Sequence, residues 1–172
     1  MAELHLSTVR QMTKLLRQLD AWLEEGAAFA EARSSDADAL LSARLVFDQY
    51  QLVQQIQACC DTAKFAGARL TGKDAPSHPD EEKTLDEART RIASTLAFLD
   101  ALTDDDFAGA ADRVIQLPFL PEGKAVTAQS YTIEFATPNF YFHISHAYAI
   151  LRSNGVPLGK RAFIGGMALV DA

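Results

Sequence analysis

In PNFYFHISHAYAILRSNG, residues 138–155, two histidines, His143 and His146, stand three apart among aromatic side chains. Residues at that spacing on a helix have Cβ atoms roughly 5–6 Å apart, so both imidazoles could approach one divalent ion. Alternatively, one neutral imidazole could serve as a general base. Wound at about 100° per residue, the stretch gathers Asn139, His143, His146 and Ser153 into an arc roughly 80° wide. Phe140, Ile144, Tyr148 and Leu151 form an apolar face, and Phe135, Phe142 and Ala149 lie on the other flank of the arc. A polar arc between two apolar faces either lines an internal pocket or meets water beside a subunit interface.

An open catalytic metal site usually takes three protein ligands, and the third is not at hand. His5 precedes the cap expected for the first helix, His78 sits between prolines in a connector, and Glu134 would lie opposite His143 on a continuous helix. Gln57 and Asp61 are polar positions at or beyond the edge of the second helix's core face. The ligand-pocket candidates are therefore Asn139, His143, His146, Gln57 and Asp61, with no metal or other cofactor expected. If a divalent metal such as zinc or nickel does bind, His143 with His146 would hold it.

Other chemistry-bearing residues have plainer readings. Cys59 and Cys60 are adjacent, so no long-range disulfide can form within the chain, and on a helix they read as buried, inert thiols. Asp104, Asp105 and Asp106 read as a solvated turn, and Asp61 with Lys64 as a surface ion pair. The run Gly159-Lys160-Arg161 lacks the upstream glycine and the following hydroxyl residue of a P-loop.

The elements that must position these residues are helical. Val9, Met12, Leu15, Leu16, Leu19, Trp22 and Leu23 recur at three and four after Ser7, a candidate N-cap, and the stripe is expected to end near Gly26. A connection follows, with a short helical turn near Leu40–Arg44. A second helix is predicted from about Tyr50 to Leu70, stopped by Gly72. After a proline-containing polar connector, Thr84 and Glu87 form a capping box for a third helix carrying Ile92, Leu96, Leu99 and Leu102. RVIQLPFLPEGKAVTAQS predicts a short extended or hairpin insertion. Helix resumes near Gln129 and runs to Ser153, with Thr137-Pro138 as a kink or a fresh start. The glycine-rich tail after Gly155 reads as irregular.

These elements fit one domain over residues 1–172, an all-α, up-and-down four-helix bundle with a hairpin insertion before its last helix. At 172 residues and 48% hydrophobic, the chain can bury a sizeable core. Sixteen Lys and Arg against 23 Asp and Glu give a formal charge of −7, which disfavours nucleic acid and anionic membrane surfaces as partners. Neither a secretory signal nor a membrane span is legible, so a cytoplasmic location is expected.

QLVQQIQACCDTAKFAGARLTG (51–72), TPNFYFHISHAYAILRSNGVPLGKRAFIG (137–165) and LLSARL (40–45) resemble a branch of the DinB/YfiT-like helical bundle superfamily whose members are of unknown function. The resemblance covers nearly the whole chain. It implies a four-helix bundle, commonly dimeric, in a superfamily where many members carry a divalent metal on three histidines from different helices. Some of those relatives are metal-dependent thiol-linked transferases and isomerases. This chain departs from that pattern, because the superfamily's last-helix histidines are four apart and position 147 here is alanine. Its second helix, moreover, offers glutamine and aspartate where a histidine would be expected. Only His143 carries over, within the FYFH segment. The expected function is a dimeric protein binding a small ligand in a polar pocket near His143. The alternative is a metal-dependent or thiol-linked transferase or hydrolase using His143.

Overall fold

The computed structural model describes residues 2–170, and its core is one continuous cluster gathered from four helices. α1 spans Ala2–Glu31, α2 Leu52–Thr71 and α3 Leu85–Asp100. β1 (Val114–Ile115) and β2 (Val126–Thr127) pair antiparallel as a minimal hairpin. α4 (Ala128–Ser130) then leads through a π-helical turn, Tyr131–Ala136, into α5, Thr137–Ser153. A short α6, Lys160–Ile164, gives the tail more order than its glycines suggest. No helix among the described residues is long and apolar enough to cross a membrane.

The all-α bundle and its hairpin insertion match the sequence reading, whereas strict alternation of helix directions does not. α3 pairs antiparallel to α1 through Arg89–Asp20, and α5 antiparallel to α2. α2 and α3, however, run parallel, since Asp61 meets Arg91 and a Cβ at Gly67 would touch Leu99 and Leu102. The order is thus up, down, down, up. This requires the 73–84 connector to return along the bundle. About twelve extended residues reach roughly 40 Å, enough to retrace a helix of about 30 Å.

Local boundaries follow from identifiable groups. Ser7 is no cap: α1 begins five residues earlier and buries His5, whose Nδ1 meets Thr132 Oγ1 at 2.9 Å. Nor does Gly26 end α1. It lies inside the helix, where an added Cβ would sit 3.3 Å from Leu40, so its role there is close packing. The predicted turn near Leu40–Arg44 is a 3₁₀ segment, Ala37–Ser42. Thr84 and Glu87 form the expected capping box. At Gly72 the backbone is left-handed (φ 78°) and Arg113 caps the Thr71 carbonyl at 2.7 Å, so both conformation and space select glycine.

Candidate functional site

Gln55, Thr62 and Arg69 stand seven apart on α2, two turns each, and so share one face. Each meets a residue of the antiparallel partner. Gln55 Oε1 lies 2.8 Å from His143 Nδ1, Asn139 Nδ2 donates to Thr62 Oγ1 at 2.7 Å, and Arg69 Nη1 donates to the Tyr131 hydroxyl at 3.1 Å. Beside these rungs runs a trough of about 290 Å³. Its lining includes Asn139, His143 and Arg69 among the aromatic walls Phe65, Phe119 and Phe135.

The hydrogen bonds fix which atoms face a ligand. Gln55 is fully buried, and its Nε2 is directed to the Tyr50 carbonyl at 3.4 Å, which turns its oxygen toward His143. His143 must then donate from Nδ1, leaving Nε2 as a bare acceptor. Burial pushes the His143 imidazole below the usual histidine range, with a smaller contribution from neighbouring His146, so the neutral form is favoured. Thr62 gives its hydroxyl proton to the Ala58 carbonyl at 2.7 Å and accepts from Asn139. The Asn139 Oδ1 therefore points away from that bond.

Pro138 and the π-turn explain why the lining comes from residues four apart. In a regular α-helix three steps of four advance by about 120°, which would carry Tyr131 away from the side of His143. Pro138 has no N–H for the Glu134 carbonyl, and the chain widens instead: the Thr137 N–H and Oγ1 both reach the Thr132 carbonyl. That wider turn takes back part of the advance, and Tyr131, Phe135, Asn139 and His143 all line the trough. The backbone stays helical at Ala136 and Thr137, so Pro138 marks neither a break nor a new start.

Two of the expected site residues are turned elsewhere. Gln57 donates to Glu82 at 2.8 Å and is not part of the trough lining. His146 Nδ1 contacts its own helix at the Phe142 carbonyl, 2.6 Å away, and its ring packs on Phe142 at 4.1 Å. Asp61 borders the trough, but its carboxylate is held by Lys64 at 2.8 Å and Arg91 at 2.7 Å. This is no surface pair, for Lys64 and Arg91 are both 3% exposed. Sequence reasoning missed Gln55, Arg69 and Tyr131; the seven-residue spacing on α2 and the four-residue spacing from 131 to 143 were the available signals.

A second polar cluster fills the other side of α2. Arg91 binds Asp61, Asp80 and Glu82 and also donates to the Pro79 carbonyl at 3.2 Å, tying the connector to α3. Lys64 Nζ lies 3.2 Å from His78 Nδ1, and His78 Nε2 lies 2.9 Å from Ser94 Oγ. With an ammonium against Nδ1, that nitrogen must accept, so Nε2–H donates to Ser94 and cannot take the serine proton. Burial, then Lys64 and Arg91, holds His78 below the usual histidine range. Burial likewise pushes the nearby Cys60 thiol up to about 12, in keeping with an inert cysteine.

The family profile for a domain of unknown function, DUF1993, matches residues 4–164. This chain belongs to the DUF1993 family. It is also similar to the crystal structure of a DinB family member protein from Shewanella denitrificans, with 46% identity and a TM-score of 0.92 over 99% of this chain and 96% of that one. No curated protein matches it. The DUF1993 chain therefore shares the DinB bundle at a level where both sequence and fold agree.

The superfamily's three-ligand metal site does not fit the donors of this DUF1993 protein. Among the described residues, no group of three or more His, Cys, Asp or Glu side chains could hold a metal ion. Around His143, the Gln55 oxygen is committed to the imidazole and the Asp61 carboxylate is held by Lys64 and Arg91.

Proposed function

We propose that this protein binds a small, partly apolar ligand in the trough between α2 and α5, and that it works as a homodimer. The observation carrying the ligand reading is the pair of unspent acceptors, His143 Nε2 and Asn139 Oδ1, each oriented by a part-buried hydrogen bond to α2 and set among aromatic walls. Groups held rigidly in a concave apolar site and left without protein partners are what ligand recognition requires. A transferase or hydrolase reading has one supporting feature, the neutral imidazole suited to general-base work. Among the described residues, the hydrogen-bond partner of that imidazole is Gln55, which is not a nucleophile.

The dimer reading rests on exposed aromatics around the same histidine. Phe142 stands edge-on to His143 at 5.2 Å and Tyr50 is stacked on it at 6.1 Å, both 52% exposed, while Phe47, three residues before Tyr50 in the chain, is 89% exposed. The apolar flank anticipated from the sequence is nonetheless shorter than expected. Phe135 turns into the trough and packs on Phe119 at 5.1 Å. The tail covers a different face, where Phe163 stacks on Trp22 at 5.6 Å and Met167 stays 75% exposed.

A panel of small uncharged aromatic amides and alcohols, titrated into isotope-labelled protein, tests the ligand reading by nuclear magnetic resonance. Shifts should concentrate at Phe65, Asn139 and His143, and Asn139→Leu should weaken them. Shifts scattered over the surface, or centred on the connector, would rule the trough out.

A further inference from the structure

We propose that the trough recognises a carboxylate, with Arg69 as the residue that binds it; this deepens the ligand reading above and rests on it. Arg69 lies on the trough lining with its guanidinium 5.0 Å from the Phe65 ring centre and 5.4 Å from that of Tyr131. None of the ion pairs among the described residues includes Arg69. It spends one N–H on the Tyr131 hydroxyl, and a guanidinium has five to give. The remaining donors belong to a planar fork that borders two rings and is tied to the Tyr131 hydroxyl, which suits bidentate capture of a carboxylate.

The charges around it make the assignment specific. The acid and the histidine on the trough lining are already engaged: the Asp61 carboxylate is held by Lys64 and Arg91, and His143 is favoured as the neutral imidazole. Arg69 is therefore the lining's one cation without a carboxylate partner, in a molecule of formal charge −7. One cation matches a monoanion. A phosphate dianion usually recruits more, and nearby Lys73 is occupied by Asp106 at 2.7 Å. The walls Phe65, Phe119, Phe135 and Leu117 ask for an apolar, ring-sized body behind the acid group. The ligand class is thus a small aryl or alkyl carboxylic acid whose body carries an O–H or N–H donor for the acceptors of the trough.

Phenylacetate, phenylacetamide and inorganic phosphate, titrated separately into the full chain, read the proposal directly. Phenylacetate should bind about tenfold or more tighter than phenylacetamide, with shifts at Phe65, Arg69 and Tyr131. Arg69→Gln should erase that preference, and Arg69→Lys should restore part of it. If Arg69→Gln does not fold, the acid-to-amide ratio in the unaltered chain and in Arg69→Lys remains decisive. Equal binding of acid and amide, or a preference that survives Arg69→Gln, overturns the carboxylate assignment and leaves the trough reading standing. Phosphate binding at Arg69 in place of phenylacetate overturns it too, and binding of none of the three removes both readings.

Discussion

On its α3 side, α2 carries Asp61 and Lys64 into a network closed by Arg91, Glu82 and His78; on its α5 side it carries Gln55, Thr62 and Arg69 to the trough. The first cluster is the more charged, yet its ions already have partners within the chain. In the second, Arg69, His143 Nε2 and Asn139 Oδ1 keep capacity unused. Charge density alone would have pointed to the wrong side of the helix. A recess of about 930 Å³ along the connector, lined by His78, Asp80, Glu82 and Arg91, is larger than the trough. Its strongest ions are paired with one another, although the buried Arg91 Nε has no partner, and these pairs tie the connector to α2 and α3. What the α3-side network holds is the crossover that lets α2 and α3 run parallel.

Breaking the ion-paired side should therefore cost the most stability. Arg91→Leu leaves Asp61 and Glu82 without their buried cation and should lower stability by about 3–5 kcal/mol. Urea denaturation measures this, and a loss below about 1 kcal/mol would place the network among ordinary surface pairs. On the open side, Gln55→Leu strands the His143 Nδ1–H without its acceptor, at about 1–3 kcal/mol. Imidazole nitrogen shifts should report the Nδ1–H tautomer in the parent and lose that signature in the variant. An unchanged tautomer would show that Gln55 does not set it.

Acid should weaken both sides. His78 and His143 are each held below the usual histidine value, chiefly by burial. A depressed folded-state value means the unfolded chain binds the proton more readily. The stability it contributes is complete above the unfolded value of about 6.5 and is lost as pH falls through the folded one. The groups facing His78 are Lys64, Ser94, Arg91, Asp61 and Glu82, so its protonation sets two cations together before the carboxylates respond. Melting temperature should fall between about pH 7 and pH 5. His78→Gln and His143→Gln should each flatten that slope, and a slope unaffected by either change would assign it to other groups.

The helices were legible because caps and apolar periodicity are local. Thr84 with Glu87, Gly72 and the stripe from Val9 to Leu23 act within a turn or two of themselves. Direction and site were less legible because they depend on contacts distant in sequence. Nothing near Asp61 announces that Arg91 lies beside it, thirty residues on. His143 was found from its surroundings, but its partner Gln55 was passed over for Gln57, two positions away and on another face. A helical wheel drawn through Tyr131–Ala136 at a constant angle also misplaced Phe135, since the π-turn changes the rotation there. Pro138 was the visible warning, and a proline within a helix can be absorbed by widening as well as by bending.

The smallest effect on folding, and the sharpest on assembly, should come from Phe142. Its ring is half exposed and packs on His143 and His146 at the trough's rim, close to Tyr50. A contiguous exposed aromatic patch is an association surface in most soluble proteins, and a two-fold partner is the simplest way to cover it. Because the ring contributes little to the core, Phe142→Asp should leave helix content and melting temperature nearly unchanged. It should nonetheless convert a dimer of about twice 18.8 kDa into a monomer by light scattering at micromolar concentration. If the parent chain is already monomeric there, the dimer is refuted, and the patch becomes part of the trough's mouth. Phenylacetamide titration then separates the roles: binding unaltered by Phe142→Asp marks a surface for assembly, and binding weakened in a monomer marks the rim of the ligand site.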